Sequence, residues 1–444
     1  MSPASPATFR VHGGRRLQGA VRVPGDKSIS HRALLVGALA EGRSTVSGLS
    51  DGDDVARTAA AVAALGANVD ADGIDGGATR LHAPAGPLDA GNSGTTMRLL
   101  AGLVAGWPWE VEIGGDPSLS ARPMDRVAAP LRAMGAQVHG RGERDLPPLH
   151  VRGGGLVAID YAPPMASAQV KSCVLLAGLR AEGTTVVREK VATRPHTEEL
   201  LARAGADIEV GEEGGGRVVR LRPSALSPFE LDVPGDPSQA AFWVVAATVV
   251  PGSEITVEGV YVGETRRGFL DVLRRMGARI DERPHDGAGP DAMPVADLVV
   301  RAAPLVATEV PASEITGLDE VPVLAVAAAV ADGTTVFRDV GELRVKESDR
   351  LAGVVALVEA FGGRAEAVGD DLHVHGVAHL AAGTLDAAGD HRMAMAATVA
   401  GLAAAGTAGT ESSVSGFEAV ATSYPAFAAH LHVLTGLGEA EVGA

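Results

Sequence analysis

The sequence predicts a two-domain, inside-out α/β barrel, in which each domain contains three repeats of about 70 residues around buried central helices. Three observations predict this class: a glycine motif that recurs along the chain, helices that carry almost no charge, and the sequence VPGD, which occurs twice. The chain of 444 residues is also too long for one ordinary hydrophobic core. Two domains are therefore the first expectation.

An apolar residue followed by glycine recurs at intervals of roughly 70 to 85 residues. An amphipathic helical pattern precedes each of these glycines, and residues that favour β-strands follow it. Glycine readily adopts the left-handed conformation that ends a helix, so each motif predicts a helix, its end and then a strand. The glycines are Gly66, Gly135, Gly205, Gly277, Gly362 and Gly438.

Two further elements are predicted in each repeat before the amphipathic helix. Four repeats contain a turn followed by a predicted strand, in the sequences EGRSTV, EGTTVV, PGSEITV and DGTTVF. Further upstream lies a helix almost without charge, as in QAAFWVVAATVV and VPVLAVAAAVA. A helix that is apolar all round must be buried on every side. One repeat is therefore predicted to be a buried helix, a strand, an amphipathic helix and a strand, and the chain contains six.

The two VPGD sequences begin at Val23 and Val233, which is an offset of three repeats. Each copy is predicted to open one half of the chain, so that the first three-repeat domain spans 24–234. The second domain is predicted to be discontinuous and to consist of 1–23 and 235–444. Its last repeat ends soon after the final glycine motif, and the N-terminal sequence TFRVHGGRRLQGAVRV would supply the strand that it lacks.

Composition argues against several classes of protein. A formal net charge of −17 disfavours nucleic acid and anionic membranes as partners of the surface as a whole, although it permits a local basic pocket. The N-terminal segment has no apolar signal core, and the apolar runs are too short to span a bilayer. We therefore expect a cytoplasmic protein. The single cysteine, Cys173, lies in an apolar helical pattern and is expected to be a buried structural thiol.

Charged residues gather where the predicted helices begin. Lysine and arginine in a first helical turn oppose the helix dipole and are normally avoided there. Their recurrence predicts an anion, either phosphate or carboxylate, bound by backbone N–H groups together with cationic side chains. A simpler interpretation is that Asp26, Asn92, Ser167 and Thr193 cap helices. The sequences are GDKSISHR, GNSGTTMR, SARPMDR, MASAQVK, TRPHTEE, LDEVP, RVKESDR and GDHRMAM.

Together with ATSYPAF near the C-terminus, these motifs cover nearly the whole chain and resemble those of the enolpyruvyl transferases. The family's fold is two inside-out α/β domains of three repeats each, which matches the number of repeats counted from the glycines. DKSISHR and VKESDR are similar to the members that transfer the enolpyruvyl group of phosphoenolpyruvate to the 5-hydroxyl of 3-phosphoshikimate and release phosphate. That reaction belongs to the shikimate pathway towards chorismate and the aromatic amino acids, and the members that catalyse it are the target of glyphosate.

The resemblance implies an active site in the cleft between the domains and no metal or organic cofactor. The expected partners are the two small-molecule substrates, and the chain is expected to be a monomer.

Carried over motif by motif, the resemblance implies two binding sites and an acid–base pair. Asp319 would accept the proton of the 5-hydroxyl and Glu347 would protonate the methylene carbon, with Lys27 as a third catalytic group. The alternative for both carboxylates is a position at a helix N-terminus that complements the dipole. His31 and His391 are expected to be structural, because each stands beside an arginine that explains its motif. Residues expected to bind 3-phosphoshikimate are Lys27, Ser28, Arg32, Ser167, Gln169, Arg194, Asp319 and Lys346. Residues expected to bind phosphoenolpyruvate are Lys27, Gly94, Arg122, Gln169, Arg350 and Arg392.

Two other interpretations are open. The first is the sister transferase that acts on UDP-N-acetylglucosamine, but that enzyme uses a cysteine in a flexible loop. The second is a non-enzymatic anion-binding module, which would not need Asp319 and Glu347 among its cations.

The chain also departs from many family members at Thr422, where they carry a lysine that contacts phosphoenolpyruvate. It keeps Gly94, which glyphosate-tolerant members often replace by alanine.

Overall fold

The helices that the sequence predicts to be almost free of charge are buried along nearly their whole length. This arrangement is seen in a computed structural model that describes residues 8–285, 293–315, 317–404 and 411–436. Strands and amphipathic helices surround these buried helices, which confirms the predicted inside-out α/β class. The central helices are α1 (Lys27–Leu39), α3 (Gly94–Ala105), α5 (Ala168–Gly178), α7 (Pro237–Val249), α9 (Val321–Ala329) and α11 (His391–Ala403).

The outer helices bury one face each. In the fourth repeat, for example, Phe269 and Leu273 are buried whereas Asp271 between them is exposed. The outer helices are α2 (Asp53–Ala64), α4 (Asp125–Ala133), α6 (His196–Arg203), α8 (Gly268–Arg275), α10 (Arg350–Ala360) and α12 (Phe427–Thr435).

The predicted glycines lie just beyond the outer helices and have positive φ angles. The values are 107° at Gly66, 103° at Gly135, 80° at Gly205, 103° at Gly277 and 78° at Gly362. Residues with a Cβ rarely adopt this conformation, so glycine is the residue that lets the chain leave the helix here. The predicted helix ends are therefore confirmed at these positions. Gly438, the last predicted glycine, lies outside the described residues.

The chain divides into two compact units. The continuous unit spans Gly25–Val233, and the discontinuous unit consists of Met1–Pro24 and Pro234–Ala444. The strands of the continuous unit are β3 (Gly42–Ser47), β4 (Asn68–Asp70), β5 (Gly73–Gly76), β6 (Leu88–Asp89), β7 (Glu110–Gly114), β8 (Gln137–Arg141), β9 (Leu146–Arg152), β10 (Asp160–Tyr161), β11 (Thr185–Glu189), β12 (Ile208–Glu213), β13 (Gly216–Leu221) and β14 (Glu230–Asp232). They form sheets in the orders β14-β3-β5-β4, β6-β7-β9-β8 and β10-β11-β13-β12. In each sheet the first pair is parallel and the other pairs are antiparallel.

The discontinuous unit repeats this plan with one exception. Its strands are β1 (Thr8–His12), β2 (Gln18–Arg22), β15 (Glu254–Tyr261), β16 (Arg279–Pro284), β17 (Val295–Arg301), β18 (Glu309–Pro311), β19 (Thr334–Arg338), β20 (Arg364–Val368), β21 (Asp371–His375), β22 (Thr384–Asp386) and β23 (Glu411–Ser415). Its sheets have the orders β2-β15-β17-β16, β18-β19-β21-β20 and, among the described strands, β22-β23-β1. In the last sheet the N-terminal strand β1 pairs antiparallel with β23, with Phe9 opposite Val414.

Each repeat contains more strands than the sequence analysis predicts. A further antiparallel strand returns from the strand after the glycine, as β5 returns from β4. A parallel edge strand of two or three residues also joins the sheets, as β6 and β10 do. These edge strands of two or three residues complete too little of an alternating pattern to be recognised from sequence, whereas the returning strands are longer and were missed.

Candidate active site

The start of α1 holds a lysine beside a carboxylate. Asp26 caps the helix, because its side chain accepts a hydrogen bond from the backbone N–H of Ile29 at 2.8 Å. Lys27 follows it, and its Nζ lies 2.8 Å from Oδ2 of Asp54 in the first turn of α2. Both side chains are largely buried. The sequence analysis missed Asp54, which fixes the position of the ammonium group.

One turn further along α1, Arg32 is only 2% exposed. Its Nη1 donates to the carbonyl and the hydroxyl oxygens of Ser28, both at 2.8 Å. Its Nε donates to the Thr197 hydroxyl at 2.7 Å, and its Nη2 donates to the Ser172 hydroxyl at 2.7 Å. These partners are neutral, so they hold the guanidinium in place without cancelling its charge. Thr197 and Ser172 were not predicted.

The first turns of α3 and α5 meet at Gln169. Its side-chain oxygen accepts from Arg98 Nη1 at 2.7 Å, and its amide nitrogen donates to the hydroxyl of Thr95 at 2.9 Å. Gly94 begins α3 at the same place, and a Cβ atom at this position would lie 2.8 Å from Arg98 Nη1. The structure therefore brings Gly94 and Gln169 together, and it adds Arg98, which the sequence analysis missed.

Arg122 lies close to the same helix start and is half-buried. Its Nη2 donates to Oδ1 of Asn92 at 2.6 Å, and Asn92 in turn donates to Asp116 at 2.7 Å. Ser93, not Asn92, caps α3, since its hydroxyl accepts from the backbone N–H of Thr96. Asn92 therefore orients an arginine, and its interpretation as a helix cap is wrong.

The remaining candidates of this unit lie on α5 and before α6. Ser167 caps α5 by accepting from the backbone N–H of Val170 at 3.3 Å. Arg194 is half-buried in the segment between β11 and α6. Thr193 does not cap α6, because its hydroxyl donates to the side chain of Glu189.

His31 is fully buried, with its Nδ1 2.7 Å from the Thr58 hydroxyl. Burial, together with the nearby charges of Lys27 and Arg32, holds the pKa of His31 well below its usual value. A neutral, structural histidine matches the expectation.

The discontinuous unit centres on a buried arginine. Nε of Arg350 donates to Oδ2 of Asp390 at 2.8 Å. Its Nη2 lies 2.6 Å from Oε2 of Glu347, and its Nη1 lies 3.5 Å from Oδ1 of Asp319. Burial acts to lower the pKa of Arg350, but the charges of Glu347 and Asp390 outweigh it and raise that pKa further. One guanidinium thus holds the proposed acid and base together.

Asp390 connects this arginine to α11. It caps the helix, because its Oδ1 accepts from the backbone N–H of Arg392 at 2.9 Å. Burial acts to raise the pKa of Asp390, but the charge of Arg350 outweighs it and lowers that pKa. Arg392 reaches back to Asp319, with its Nη1 3.2 Å from the backbone oxygen and its Nη2 3.6 Å from Oδ2. Asp390 was not predicted to belong to the site.

Asp319 and Glu347 precede helices without being part of them. Asp319 follows a turn in which Gly317 has a φ of 92° and Leu318 a φ of 59°. A left-handed leucine is strained, and such strain is found where function fixes the backbone. The two side chains are 19% and 27% exposed, which leaves each accessible to a ligand. Lys346 is adjacent, with its Nζ 3.7 Å from Glu342.

Two groups of side chains result. The Lys27 cluster consists of Lys27, Ser28, Arg32, Gly94, Arg122, Ser167, Gln169 and Arg194, and the Arg350 cluster consists of Asp319, Lys346, Glu347, Arg350, Asp390 and Arg392. The first combines cations with helix N-termini, which suits phosphate and carboxylate. The second combines cations with two accessible carboxylates, which suits proton transfer to and from a bound anion.

Two further residues bear on the alternatives. Cys173 is fully buried, and burial raises the pKa of its thiol. Thr422 ends the 3-10 turn Phe417–Thr422 and is half-buried.

Across the part of the chain that the structure describes, no helix is both long and apolar enough to cross a membrane. No group of three or more histidine, cysteine, aspartate or glutamate side chains among those residues could hold a metal ion.

Comparison with known proteins identifies the family of this chain. The family model described as EPSP synthase (3-phosphoshikimate 1-carboxyvinyltransferase) matches residues 11–431. A 3-phosphoshikimate 1-carboxyvinyltransferase from Gloeobacter violaceus is 49% identical over 434 residues, which covers 95% of this chain and 98% of the relative. A relative of the same name from Methylobacterium sp. strain 4-46 is 48% identical and covers 99% of this chain and 98% of its own length.

Solved structures agree as well. EPSP synthase from Acinetobacter baumannii superposes with a TM-score of 0.83 at 36% identity and covers 96% of this chain and 98% of its own. The enolpyruvyl transferase NikO from Streptomyces tendae has a TM-score of 0.76 at 21% identity, over 97% of this chain and 98% of its own, and shares the fold. With a family model that spans most of the sequence and relatives near 50% identity, the chain belongs to the EPSP synthase (3-phosphoshikimate 1-carboxyvinyltransferase) family.

Proposed function

We propose that the chain transfers the enolpyruvyl group of phosphoenolpyruvate to the 5-hydroxyl of 3-phosphoshikimate and releases phosphate. The observation that carries this proposal is the Arg350 cluster, in which two accessible carboxylates share one buried guanidinium. A module that only bound anions would gain nothing from acidic groups beside its cations. An enolpyruvyl transfer needs both charges, because it binds anions and moves protons.

The Lys27 cluster would bind the phosphate and ring of 3-phosphoshikimate. Arg32 is held by hydroxyl groups, which position its guanidinium for the phosphate and carry no charge themselves. Ser28, Ser167, Gln169 and Arg194 complete the proposed contacts of this cluster. Hydroxyl and amide groups suit the hydroxyls of the ring, and guanidinium groups suit the phosphate.

Phosphoenolpyruvate carries a carboxylate and a phosphate. Arg122, Arg350 and Arg392 would pair with these groups, because a guanidinium presents parallel N–H donors that match either one. Lys27 and Gln169 would contact both substrates. Gly94 would let the ligand approach the first turn of α3, where backbone N–H groups are free to donate.

Proton transfer would then use the two carboxylates. Asp319 takes the proton from the 5-hydroxyl, and Glu347 delivers a proton to the methylene carbon of phosphoenolpyruvate. The neighbouring carbon becomes cation-like, and the 5-oxygen bonds to it. Glu347 then takes a proton back from the new methyl group, the bond from carbon to the phosphate oxygen breaks, and the departing phosphate receives the proton held by Asp319. The double bond is restored and is now joined to the 5-oxygen of 3-phosphoshikimate. The guanidinium groups stabilise the negative charge on the substrates throughout.

The transferase that acts on UDP-N-acetylglucosamine is the second candidate. Its chemistry resembles the proposed reaction, but it depends on a reactive cysteine in a flexible loop. The cysteine of this chain is Cys173, which is buried in α5 with its thiol pKa raised. A thiol in this state is unsuited to that role.

Phosphate release separates these functions. The purified protein should release phosphate from phosphoenolpyruvate when 3-phosphoshikimate is added, and neither shikimate nor UDP-N-acetylglucosamine should replace it. Turnover with UDP-N-acetylglucosamine alone would overturn the proposal, and binding without turnover would indicate an anion-binding module. The cytoplasmic location and the monomeric state remain predictions from the sequence.

A further inference from the structure

A lysine lies fully buried in a helix that the sequence predicts to be almost free of charge. Lys171 in α5 is 0% exposed. Its Nζ lies 2.9 Å from Oε2 of Glu189 at the end of β11 and 2.7 Å from Oε1 of Glu198 in α6. Both carboxylates are buried, and Nη2 of Arg217 lies 3.6 Å from Glu198.

Stability alone accounts poorly for such a group of charges. Removing charges from water is costly, and apolar residues of similar volume often give equal or greater stability than a buried ion pair. Buried ion pairs do fix which parts of a structure lie side by side, and here the parts are α5, the end of β11 and α6.

One branch of the network leads to Arg194. The other carboxylate oxygen of Glu189, Oε1, accepts a hydrogen bond from the hydroxyl of Thr193. Lys190, Val191 and Ala192 are exposed, whereas Thr193 is 2% exposed. Thr193 is thus the point at which the exposed segment returns to the core, and Arg194 follows immediately.

The second branch leads to Arg32. Ser172 follows Lys171 in α5, and Thr197 precedes Glu198 in α6. The hydroxyl groups of Ser172 and Thr197 lie 2.6 Å apart, and both accept hydrogen bonds from Arg32. The ion pair between α5 and α6 therefore lies next to the hydroxyl pair that holds Arg32.

We propose that Lys171, Glu189, Thr193 and Glu198 are positioning residues that fix Arg194 and Arg32 for the phosphate of 3-phosphoshikimate. This inference rests on the proposed function. The four side chains do not touch the substrate. They act by holding α5, α6 and the intervening segment in the arrangement that places the two guanidinium groups.

The first test compares Thr193→Val with Thr193→Ser. Valine keeps the shape but removes the hydrogen bond to Glu189, whereas serine keeps the bond. Thr193→Val should raise the KM for 3-phosphoshikimate and its Kd by calorimetry several-fold, up to about tenfold, since a hydrogen bond to a charged group is lost. The KM for phosphoenolpyruvate and kcat should change less than twofold. Thr193→Ser should restore the original values, and Thr184→Val, at an exposed threonine of the same unit, should change nothing.

A second variant separates positioning from stability. Lys171→Met combined with Glu189→Gln and Glu198→Gln removes the three buried charges together, and Arg217, whose side chain is 25% exposed, keeps its access to solvent. The protein should keep its melting temperature within a few degrees, yet its KM for 3-phosphoshikimate should rise by at least as much as in Thr193→Val. If Thr193→Val and the triple variant bind 3-phosphoshikimate as tightly as the parent protein, the network is only structural and the inference is wrong. If the parent protein itself neither binds nor turns over 3-phosphoshikimate, the proposed function fails first, and the inference fails with it.

Discussion

The Lys27 cluster and the Arg350 cluster use buried arginine in opposite ways. In the first, Arg32 is held by hydroxyl and carbonyl groups that carry no net charge. In the second, Arg350 is surrounded by the carboxylates of Asp319, Glu347 and Asp390. An arginine with neutral neighbours keeps its attraction for an anion, whereas one among carboxylates serves to hold those carboxylates. The difference suggests that one cluster mainly binds and the other mainly performs proton transfer.

The largest expected effect is on proton transfer. Glu347→Gln removes the proton donor and Asp319→Asn removes the proton acceptor, while both keep the shape of the side chain, so kcat should fall by about 10²- to 10⁴-fold. The Kd for 3-phosphoshikimate should change little, because the Lys27 cluster is intact. Phosphate release and calorimetry measure the two quantities. Glu359→Gln, an exposed glutamate further along α10, is the matched control. Near-normal turnover in either variant would remove that residue from the mechanism.

The two arginines should also differ in their contribution to stability. Arg350→Met leaves Asp390, which is 0% exposed, without its partner, and this should cost about 3–5 kcal/mol. Arg32→Met should cost less, about 1–3 kcal/mol, because the oxygens that lose a donor are uncharged and the Ser172 and Thr197 hydroxyl groups already bond to each other. Urea denaturation of both variants gives the comparison. Equal costs would mean that the neutral and charged surroundings do not distinguish the two arginines.

A substitution at Gly94 tests the part of the Lys27 cluster that is proposed to contact phosphoenolpyruvate and glyphosate. A methyl group at Gly94 would lie 2.8 Å from Arg98 Nη1, so Gly94→Ala must displace this guanidinium and, through it, Gln169. Because the added methyl group and the displaced guanidinium would crowd the inhibitor, we expect inhibition to weaken roughly tenfold, which is about 1.4 kcal/mol of binding free energy. The KM for phosphoenolpyruvate should rise by a smaller factor, because the inhibitor is longer. The parent protein should be inhibited competitively with phosphoenolpyruvate, despite Thr422 in place of lysine. Equal losses for inhibitor and substrate would contradict the steric explanation.

The smallest effect concerns a carboxylate beside the Lys171 network. Burial, with a contribution from the charge of Glu198, raises the pKa of Glu199 from 4.5 to about 7. The folded protein therefore retains a proton that the unfolded chain has lost, and stability falls as pH rises from about 4.5 to about 7. Glu199→Gln should melt higher than the parent at pH 8, and the gain should nearly vanish at pH 5. Glu212→Gln, at an exposed position on β12, should show no such pH dependence in the same melting experiment.

The sequence predicted those parts of the fold that a single residue or a full pattern determines. Gly205 and Gly277 end outer helices because few other residues tolerate their φ angles, so the signal is local. Helix α9 is apolar on all sides, so its sequence alone predicts that it is buried. The short edge strands could not be found, because their place is fixed by hydrogen bonds to strands elsewhere in the sheet.

The motifs predicted the residues that are proposed to contact the substrates. They did not predict the residues that hold those side chains in place. Lys27 and Arg32 stand in motifs that can be recognised one at a time. Lys171 and Asp390 stand in motifs that the sequence analysis recognised, but neither they nor Asp54 could be paired with their partners, which lie between 18 and 40 residues away. Only the packing of helices and strands brings such pairs together, so a single sequence gives no signal for them.

The order in which strands pair has a consequence for synthesis of the protein. The continuous unit closes its first sheet with β14, which pairs with β3, so all of its strands have been made once residue 232 is complete. Strand β1 pairs with Glu411–Ser415 and must wait for nearly the entire chain to be translated. At about 5–20 residues per second, this delay lasts roughly 20 to 80 seconds. The first strand to leave the ribosome is therefore among the last to find its partner, and during that interval the continuous unit has time to fold without it.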